Sequence, residues 1–168
     1  MPELGPQAAK RIRVAYWIVT LLVAYEMVAG GLWDLLRIEY VRGIMTHLGY
    51  PLYLLYIIGA WKIPCAVAIL VPRFPRLKEW AYAGAFFNYT GAAASHFAVG
   101  DGAAKWVAPL VFAALTLGSW ALRPPERRPG EAAPAGETSR IAWAVPVLIV
   151  VALVVLSLAT LPKGPPPS

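Results

Sequence analysis

The chain alternates long apolar runs with short polar connections, and five of the runs have the length of a bilayer span, about 20 mostly apolar residues. The runs cover residues 14–36, 52–71, 80–99, 106–122 and 141–161. They are apolar nearly throughout, whereas the strands of a membrane β-barrel are about half as long and alternate apolar with polar residues. The pattern therefore predicts an all-α integral membrane protein with five transmembrane helices.

The connections between the runs predict how the helices are arranged. Residues 72–76 contain two prolines and residues 100–102 contain two glycines. Both connections are therefore short turns, which make the flanking helices antiparallel neighbours. In residues 37–50 the apolar residues recur at helical spacing, which indicates an amphipathic helix on the outer membrane surface. A helical extension of the first span is the alternative for this segment.

Residues 123–140 are dominated by Pro, Gly, Ala and charged residues and show no apolar periodicity. This composition predicts a flexible cytoplasmic linker. The predicted organisation is a four-helix membrane bundle in residues 1–122, the linker in residues 123–140, and a fifth transmembrane helix with a short tail in residues 141–168. The fifth helix has no ionisable residue between positions 141 and 161, which indicates a peripheral position facing lipid.

Composition supports a membrane location. Hydrophobic residues make up 59% of the chain, charged residues make up 14%, and the mean hydropathy is +0.59. This leaves too little polar surface for a soluble globule of this size. Cys65 is the only cysteine, so an internal disulfide, a Cys-x-x-Cys pair and a thiolate metal cluster are excluded within one chain. No metal site is predicted.

The net charge of +6 would suggest nucleic acid as a partner in a soluble protein, but here most Lys and Arg residues flank the spans. Ten of them fall on the side of the N-terminus and four on the opposite side. The positive-inside rule then places the N-terminus in the cytoplasm and the C-terminus outside. The expected location is the cytoplasmic (inner) membrane, and the expected partner is the lipid bilayer, not nucleic acid.

Two charged residues lie in the middle of the first two spans. Glu26 is in the first and Lys62 in the second, and a charge at bilayer mid-depth costs about 2.5–3.5 kcal/mol. Counted from the cytoplasmic span ends, they lie at depths of roughly 18 Å and 15 Å. An ion pair between them is therefore geometrically allowed. Such a pair either fixes the register of two helices or belongs to a functional site.

Other polar residues fall into two predicted groups. The mid-membrane group consists of Glu26, Lys62 and Asn88, and the outer group consists of Asp34, Ser95, His96 and Asp101. Three aromatic residues beside the mid-membrane group in sequence are expected to flank a ligand cavity: Tyr25, Trp61 and Tyr89. Structural roles are the alternatives. A histidine near the interface can simply be hydrated, and a buried asparagine can join two helices.

Residues 59–101 (GAWKIPCAVAILVPRFPRLKEWAYAGAFFNYTGAAASHFAVGD) resemble the DoxX-like membrane proteins, and HLGYP at residues 47–51 matches as well. The similarity covers roughly residues 12–122 and implies a four-helix membrane bundle. Some DoxX relatives are subunits of a thiosulfate:quinone oxidoreductase, and others are associated with redox-stress complexes. The chain lacks a haem-type His pair within the bilayer and a Cys pair, so the redox role that the resemblance implies requires an external cofactor or partner.

Three functions follow as hypotheses. In the first, the protein is a quinone- or lipophile-binding subunit of a membrane oxidoreductase: Lys62 and Asn88 bind a carbonyl, Glu26 handles a proton, and a redox partner protein supplies electrons. In the second, it is a self-sufficient isomerase or cyclase acting on a lipophilic substrate, with Glu26 and His96 as acid and base. In the third, it is a non-catalytic scaffold. The candidate catalytic residues are Glu26, Lys62 and His96, and a membrane quinone is the candidate cofactor.

Overall fold

The computed structural model describes residues 5–129 and 140–164. Within these ranges the chain forms α-helices and one short 3₁₀ helix, and no strand. The helices are α1 (Pro6–Leu36), α2 (Glu39–His47), α3 (Leu54–Leu70), α4 (Pro75–Ala98), α5 (Ala103–Ala121) and α6 (Arg140–Ala159), and the 3₁₀ helix is Pro125–Arg127. The all-α prediction is confirmed, and each of the five long apolar runs corresponds to a helix.

The segment after α1 forms a separate helix and does not extend α1. Arg37 adopts a left-handed conformation with φ of 49°, and this ends α1. The amphipathic helix α2 then begins at Glu39 and buries Val41. The sequence alternative of one continuous helix is therefore wrong, because a left-handed residue cannot continue a right-handed helix.

Four of the helices form a closed bundle. α1 packs against α3 and α5, and α4 packs against the same two helices, so each helix of the ring has two neighbours. The most extensive contacts join α1 to α3 and α4 to α5. The buried core draws on all four helices and consists of Val23, Ala24, Met27, Val28, Ala66, Leu70, Ala85, Tyr89 and Ala113.

Glycines bring α1 and α3 unusually close together. A β-carbon at Gly59 would lie 2.7 Å from the backbone oxygen of Gly31, and a β-carbon at Gly31 would lie 3.0 Å from Lys62 Cβ. Only glycine fits these positions without moving the helices apart. Close backbone approach through small residues is the usual way that helices associate in a membrane. The contact fixes the position of Lys62 relative to α1.

The end of α3 is capped by a buried lysine from α4. Lys78 is fully buried, and its Nζ donates hydrogen bonds to the carbonyls of Ala68 at 2.7 Å, Ile69 at 3.1 Å and Val71. The last carbonyls of a helix lack backbone partners and carry partial negative charge. A lysine amine placed there satisfies them, so Lys78 has a structural role.

The first part of the predicted flexible linker is docked against the bundle. Arg127 donates from Nη1 to the carbonyl of Ile69 at 3.0 Å and from Nη2 to that of Leu70 at 3.2 Å, and its guanidinium lies 4.8 Å from the ring centroid of Trp17. Composition alone did not predict this docking. A run rich in Pro and Gly indicates a linker, but it does not show that one arginine in it donates hydrogen bonds to the last carbonyls of α3. Residues 130–139 of the predicted linker lie outside the described residues.

Helix α6 lies on the outside of the bundle. It packs on α1 and, less extensively, on α3. One face contacts the core through Ile149, Val150, Leu153 and Val154, while residues such as Leu148 and Val155 are exposed. Thr160 at the end of the helix shares a hydrogen bond with the hydroxyl of Tyr25 at 2.9 Å.

Within the part of the chain that the structure describes, two helices are long and apolar enough to cross a membrane, Pro6–Leu36 and Ala103–Ala121. Helix α3 and residues 144–159 of α6 are also apolar, but both stretches are shorter than a bilayer span of about 20 residues. Helix α4 has 24 residues, but polar residues such as Asn88 and His96 reduce its hydropathy. Length and composition therefore support two of the five predicted spans.

Candidate functional site

A lysine and two carboxylates meet between α1 and α3. Lys62 Nζ lies 3.1 Å from Asp34 Oδ2 and 3.8 Å from Glu26 Oε1. The predicted pair of Glu26 and Lys62 is present, but Lys62 lies closer to Asp34. Asp34 is about two helical turns beyond Glu26 on α1, and a lysine side chain is long enough to extend its amine toward either residue. The prediction that Asp34 belongs to the outer group is therefore wrong.

Helix α4 contributes a phenol to the same place. Tyr89 is buried, and its hydroxyl donates a hydrogen bond to Glu26 Oε2. Its ring stacks on Phe112 of α5 with a centroid distance of 5.5 Å, which fixes the direction of the hydroxyl. Glu26 thus accepts from Tyr89 with one oxygen and faces Lys62 with the other. We call Glu26, Asp34, Lys62 and Tyr89 the polar cluster.

A glycine provides the space that the polar cluster occupies. A β-carbon at Gly30 would lie 2.9 Å from Glu26 Oε1 and 2.9 Å from Lys62 Nζ. Gly30 lies one helical turn beyond Glu26 on α1, so a larger residue would separate the carboxylate from the amine. The glycines of α1 therefore serve two purposes: they let α3 approach, and they leave room for the charged side chains.

The members of the polar cluster differ in their accessibility. The side chain of Asp34 is 6% exposed, that of Lys62 is 13% exposed and that of Glu26 is 26% exposed. Glu26 is thus the carboxyl group that an outside molecule reaches most easily. The cluster offers hydrogen-bond donors on Lys62, an acid or base in Glu26, and a phenol held against that acid.

A second cluster lies at the end of the bundle where α2 meets the turn between α4 and α5. His96 Nδ1 at the end of α4 donates to Asp101 Oδ2 at 2.6 Å, and His47 Nε2 at the end of α2 lies 2.9 Å from Asp101 Oδ1. These hydrogen bonds, first that of His96 and then that of His47, lower the pKa of the Asp101 carboxyl. Tyr50 and Ser95 make a further bond between their hydroxyls at 2.9 Å. We call His47, His96 and Asp101 the outer cluster, and it ties α2 to the turn between α4 and α5.

The structure separates two residues that one hypothesis combined. An acid and base pair of Glu26 and His96 requires that both reach one substrate. Glu26 contacts Lys62 and Tyr89, whereas His96 contacts Asp101. The two candidate residues therefore belong to different clusters.

The remaining predicted ligand residues lie around the polar cluster. Tyr89, not Asn88, is the α4 residue that contacts Glu26, and Asn88 is half-buried on a neighbouring face. Tyr25 points toward α6, where it bonds to Thr160. Trp61 is 73% exposed and stands next to Lys62 on the outside of α3. Of the three predicted aromatic residues, the structure brings Tyr89 into the cluster.

The sequence analysis did not assign His47 and Tyr50 to the predicted outer group. Both lie in the HLGYP segment at residues 47–51, whose polar residues were available as a signal. The sequence pattern does not predict that α2 turns back toward α4. That approach depends on the left-handed residue Arg37 between α1 and α2.

No metal site accompanies these clusters in the part of the chain that the structure describes, where no three His, Cys, Asp or Glu side chains are arranged to hold a metal ion. An apolar recess of about 510 Å³ lies between α3 and the start of α4, and Pro64, Val67, Phe74 and Leu77 contribute to its lining. The polar cluster does not line this recess.

A family model, that of the DoxX-like family, matches residues 18–119. The match runs from α1 to α5 and includes the polar cluster and the outer cluster, while α6 lies outside it. No curated protein and no solved structure matches the chain. Because the family match covers more than half of the chain, this protein belongs to the DoxX-like family.

Proposed function

We propose that this protein is a membrane protein whose four-helix bundle binds the polar head of a lipophilic molecule, that the ligand is a membrane quinone, and that the protein acts as a subunit of a membrane oxidoreductase. The observation that carries this proposal is Lys62 held between Asp34 and Glu26, with Tyr89 bonded to Glu26. A pair that only fixes helix register needs one carboxylate. The second carboxylate and the phenol exceed that need.

Surface composition supports a bilayer around the bundle. Trp80, Phe87 and Phe97 of α4 are 79%, 69% and 71% exposed. Large exposed aromatic side chains of this kind are costly in water and favourable in lipid. The distribution of Lys and Arg favours a cytoplasmic N-terminus in the inner membrane, with the turn between α3 and α4 on the same side. On this proposal the helices α1, α3, α4 and α5 cross the bilayer, and α6 crosses beside them.

The residues of the polar cluster suit the chemistry of a quinone, which takes up two electrons and two protons when it is reduced. Lys62 donates a hydrogen bond to a carbonyl oxygen, which draws electron density toward that oxygen. Glu26, which is more accessible than Asp34, exchanges a proton with the bound head group. The two electrons come from a redox partner protein, and water on the exposed side of Glu26 returns a proton to it so that it delivers the second proton as well.

Quinone binding to the purified protein tests the proposal. The wild type and two variants are titrated in detergent with a short-chain benzoquinone, and binding is followed by calorimetry. Lys62→Met removes the proposed donor, and Lys10→Met makes the same change on an exposed part of α1. We expect binding in the wild type and in Lys10→Met, and a loss of at least tenfold in affinity in Lys62→Met. Equal affinities in all three proteins would reject the site.

A structural scaffold is the second candidate function, and the close glycine contacts between α1 and α3 favour it. If the polar cluster only fixes the register of these helices, Lys62→Met changes stability and nothing else. The two candidates therefore differ in one result. The scaffold predicts that wild-type protein neither carries nor binds a lipophile.

A further inference from the structure

The apolar recess between α3 and the start of α4 extends along the outside of the bundle. On α3 its lining includes Ile63, Val67 and Val71, and this spacing of four places them on one face of the helix. Val71 is eight positions after Ile63, so the recess runs along the helix axis for roughly 12 Å. Its volume is about 510 Å³, and every residue that lines it is apolar. A recess of this shape suits a flexible hydrocarbon chain that lies along the helix.

Two arginines lie at the end of the recess that is formed by the turn between α3 and α4. Arg73 directly precedes Phe74 and Arg76 directly precedes Leu77, and both of these apolar residues line the recess. The two arginines are exposed, and within the described residues neither of them makes a hydrogen bond or an ion pair. Residues 63–78 contain no Asp or Glu. This end of the recess is therefore positively charged, and its charges are available to a partner.

Other cations near this turn are used within the protein. Lys78 and Arg127 donate hydrogen bonds to the last carbonyls of α3, and Arg123 pairs with Glu79 at 2.6 Å. These side chains stabilise the bundle itself. Arg73 and Arg76 have no such role, so a ligand can engage them without breaking a contact of the fold.

We propose that the recess binds an anionic phospholipid, with an acyl chain along α3 and the phosphate at Arg73 and Arg76. The ligand must be apolar along the helix and negatively charged at the turn, and a phospholipid has these two parts in that order. Arginine binds phosphate through paired hydrogen bonds, and basic side chains at the end of a transmembrane helix attract anionic headgroups. A second copy of this chain fits less well, because a symmetric dimer on this face would bring equal charges together.

The lipid site is separate from the proposed quinone site, because the polar cluster does not line the recess. The two proposals share only the position of the bundle in a bilayer. A phospholipid in the recess would anchor the turn between α3 and α4 at the membrane surface. Lipid binding and quinone binding can therefore be measured, and can fail, independently of each other.

Native mass spectrometry of the purified protein in detergent tests the charged end of the site. The protein is titrated with phosphatidylglycerol and with phosphatidylcholine that carry identical acyl chains. We expect the first phosphatidylglycerol to bind about tenfold more tightly than the first phosphatidylcholine. The double variant Arg73→Gln and Arg76→Gln should lose this preference. The matched control is Lys10→Gln and Arg11→Gln, which removes two exposed cations from α1 and should keep the preference.

A second pair of variants tests the apolar part of the site. Leu77 and Leu117 are both 49% exposed, but only Leu77 lines the recess. Leu77→Trp places a larger side chain there and should weaken the binding of both lipids several-fold. Leu117→Trp makes the same change on α5 and should leave lipid binding unchanged.

Four results would overturn the proposal. They are equal binding of the two lipids by the wild type, the same loss of preference in both double variants, unchanged lipid binding in Leu77→Trp, and a wild-type dimer that Leu77→Trp dissociates. Displacement of phosphatidylglycerol by an equal concentration of glycerol phosphate would also overturn it, because the headgroup alone would then be the ligand. Retained phosphatidylglycerol binding with no binding of benzoquinone would support the lipid site and reject the proposed function.

Discussion

The close contact between α1 and α3 predicts a large effect from a single methyl group at Gly59. A β-carbon there would lie 2.7 Å from the backbone oxygen of Gly31 and 2.9 Å from Leu35 Cγ, whereas ordinary contacts begin at 3.4 Å. The leucine side chain can rotate, but the oxygen belongs to a helix backbone and cannot. The two helices must therefore separate by about 0.7 Å, the difference between 2.7 and 3.4 Å.

Two opposing terms set the size of the effect of Gly59→Ala. Overpacking of this kind costs about 1–3 kcal/mol, and alanine regains up to about 1 kcal/mol of helix propensity over glycine. The free energy of unfolding should therefore fall by up to about 2 kcal/mol. Gly91→Ala is the matched control, because it also lies within a helix and its β-carbon would meet no heavy atom within 4 Å. That variant should be unchanged or slightly more stable.

The assay is chemical unfolding in detergent, with wild type, Gly59→Ala and Gly91→Ala measured side by side. The expected ranking places Gly59→Ala below the wild type and Gly91→Ala at or above it. Because the separation of α1 and α3 also lengthens the distance from Lys62 to Asp34, Gly59→Ala should weaken quinone binding as well. Equal stabilities for the two alanine variants would show that the contact between Gly59 and Gly31 does not limit how closely α1 and α3 pack.

Three further predictions concern stability. Lys62→Met removes the one amine that faces Glu26 and Asp34 and should lower the free energy of unfolding by about 3–5 kcal/mol. This loss should exceed that of Glu26→Gln or Asp34→Asn, each of which leaves Lys62 one partner; the reverse order in detergent unfolding would contradict the cluster. Arg127→Ala removes charged hydrogen bonds to the end of α3, each worth about 1.5–3 kcal/mol. Hydrogen exchange should therefore accelerate in residues 123–129, and unchanged exchange would show that Arg127 does not hold these residues against the bundle. The hydrogen bonds from His96 and His47 lower the pKa of Asp101 in the folded protein. The Asp101 carboxylate therefore stabilises the fold at pH values above the ordinary pKa of an aspartate, about 3.9. This stabilisation is lost as the pH falls through the lower pKa that Asp101 has in the folded protein. The wild type should therefore lose thermal stability more steeply than Asp101→Asn below about pH 5, and parallel curves would contradict the hydrogen bonds to the histidines.

Hydrophobic pattern predicted the long helices well because uninterrupted apolar runs leave few alternatives. The run at residues 52–71 became α3, and the prolines and glycines marked the turns on either side of α4. The position of residues 123–129 could not be predicted in this way. It depends on one side chain, that of Arg127, reaching carbonyls more than 50 positions earlier in the chain.

The candidate site was only partly predictable for a similar reason. Depth along each span correctly brought Glu26 and Lys62 together, because depth depends only on the rise per residue. It misplaced Asp34, since a lysine side chain extends along the helix axis and reaches beyond its own level. Depth also favoured Asn88 over Tyr89. The side of α4 that faces Glu26 depends on how the helix is rotated about its axis, and depth does not define that rotation.

The site at which a quinone attaches decides whether the polar cluster binds it. A photoreactive benzoquinone is bound to the wild-type protein in detergent, illuminated, and located by peptide mass spectrometry. We expect labelling to concentrate around Glu26, Lys62 and Tyr89, to fall with excess unmodified quinone, and to be lost in Lys62→Met. Labelling that is confined to the exposed aromatic residues Trp80, Phe87 and Phe97, and that excess quinone does not reduce, would contradict it.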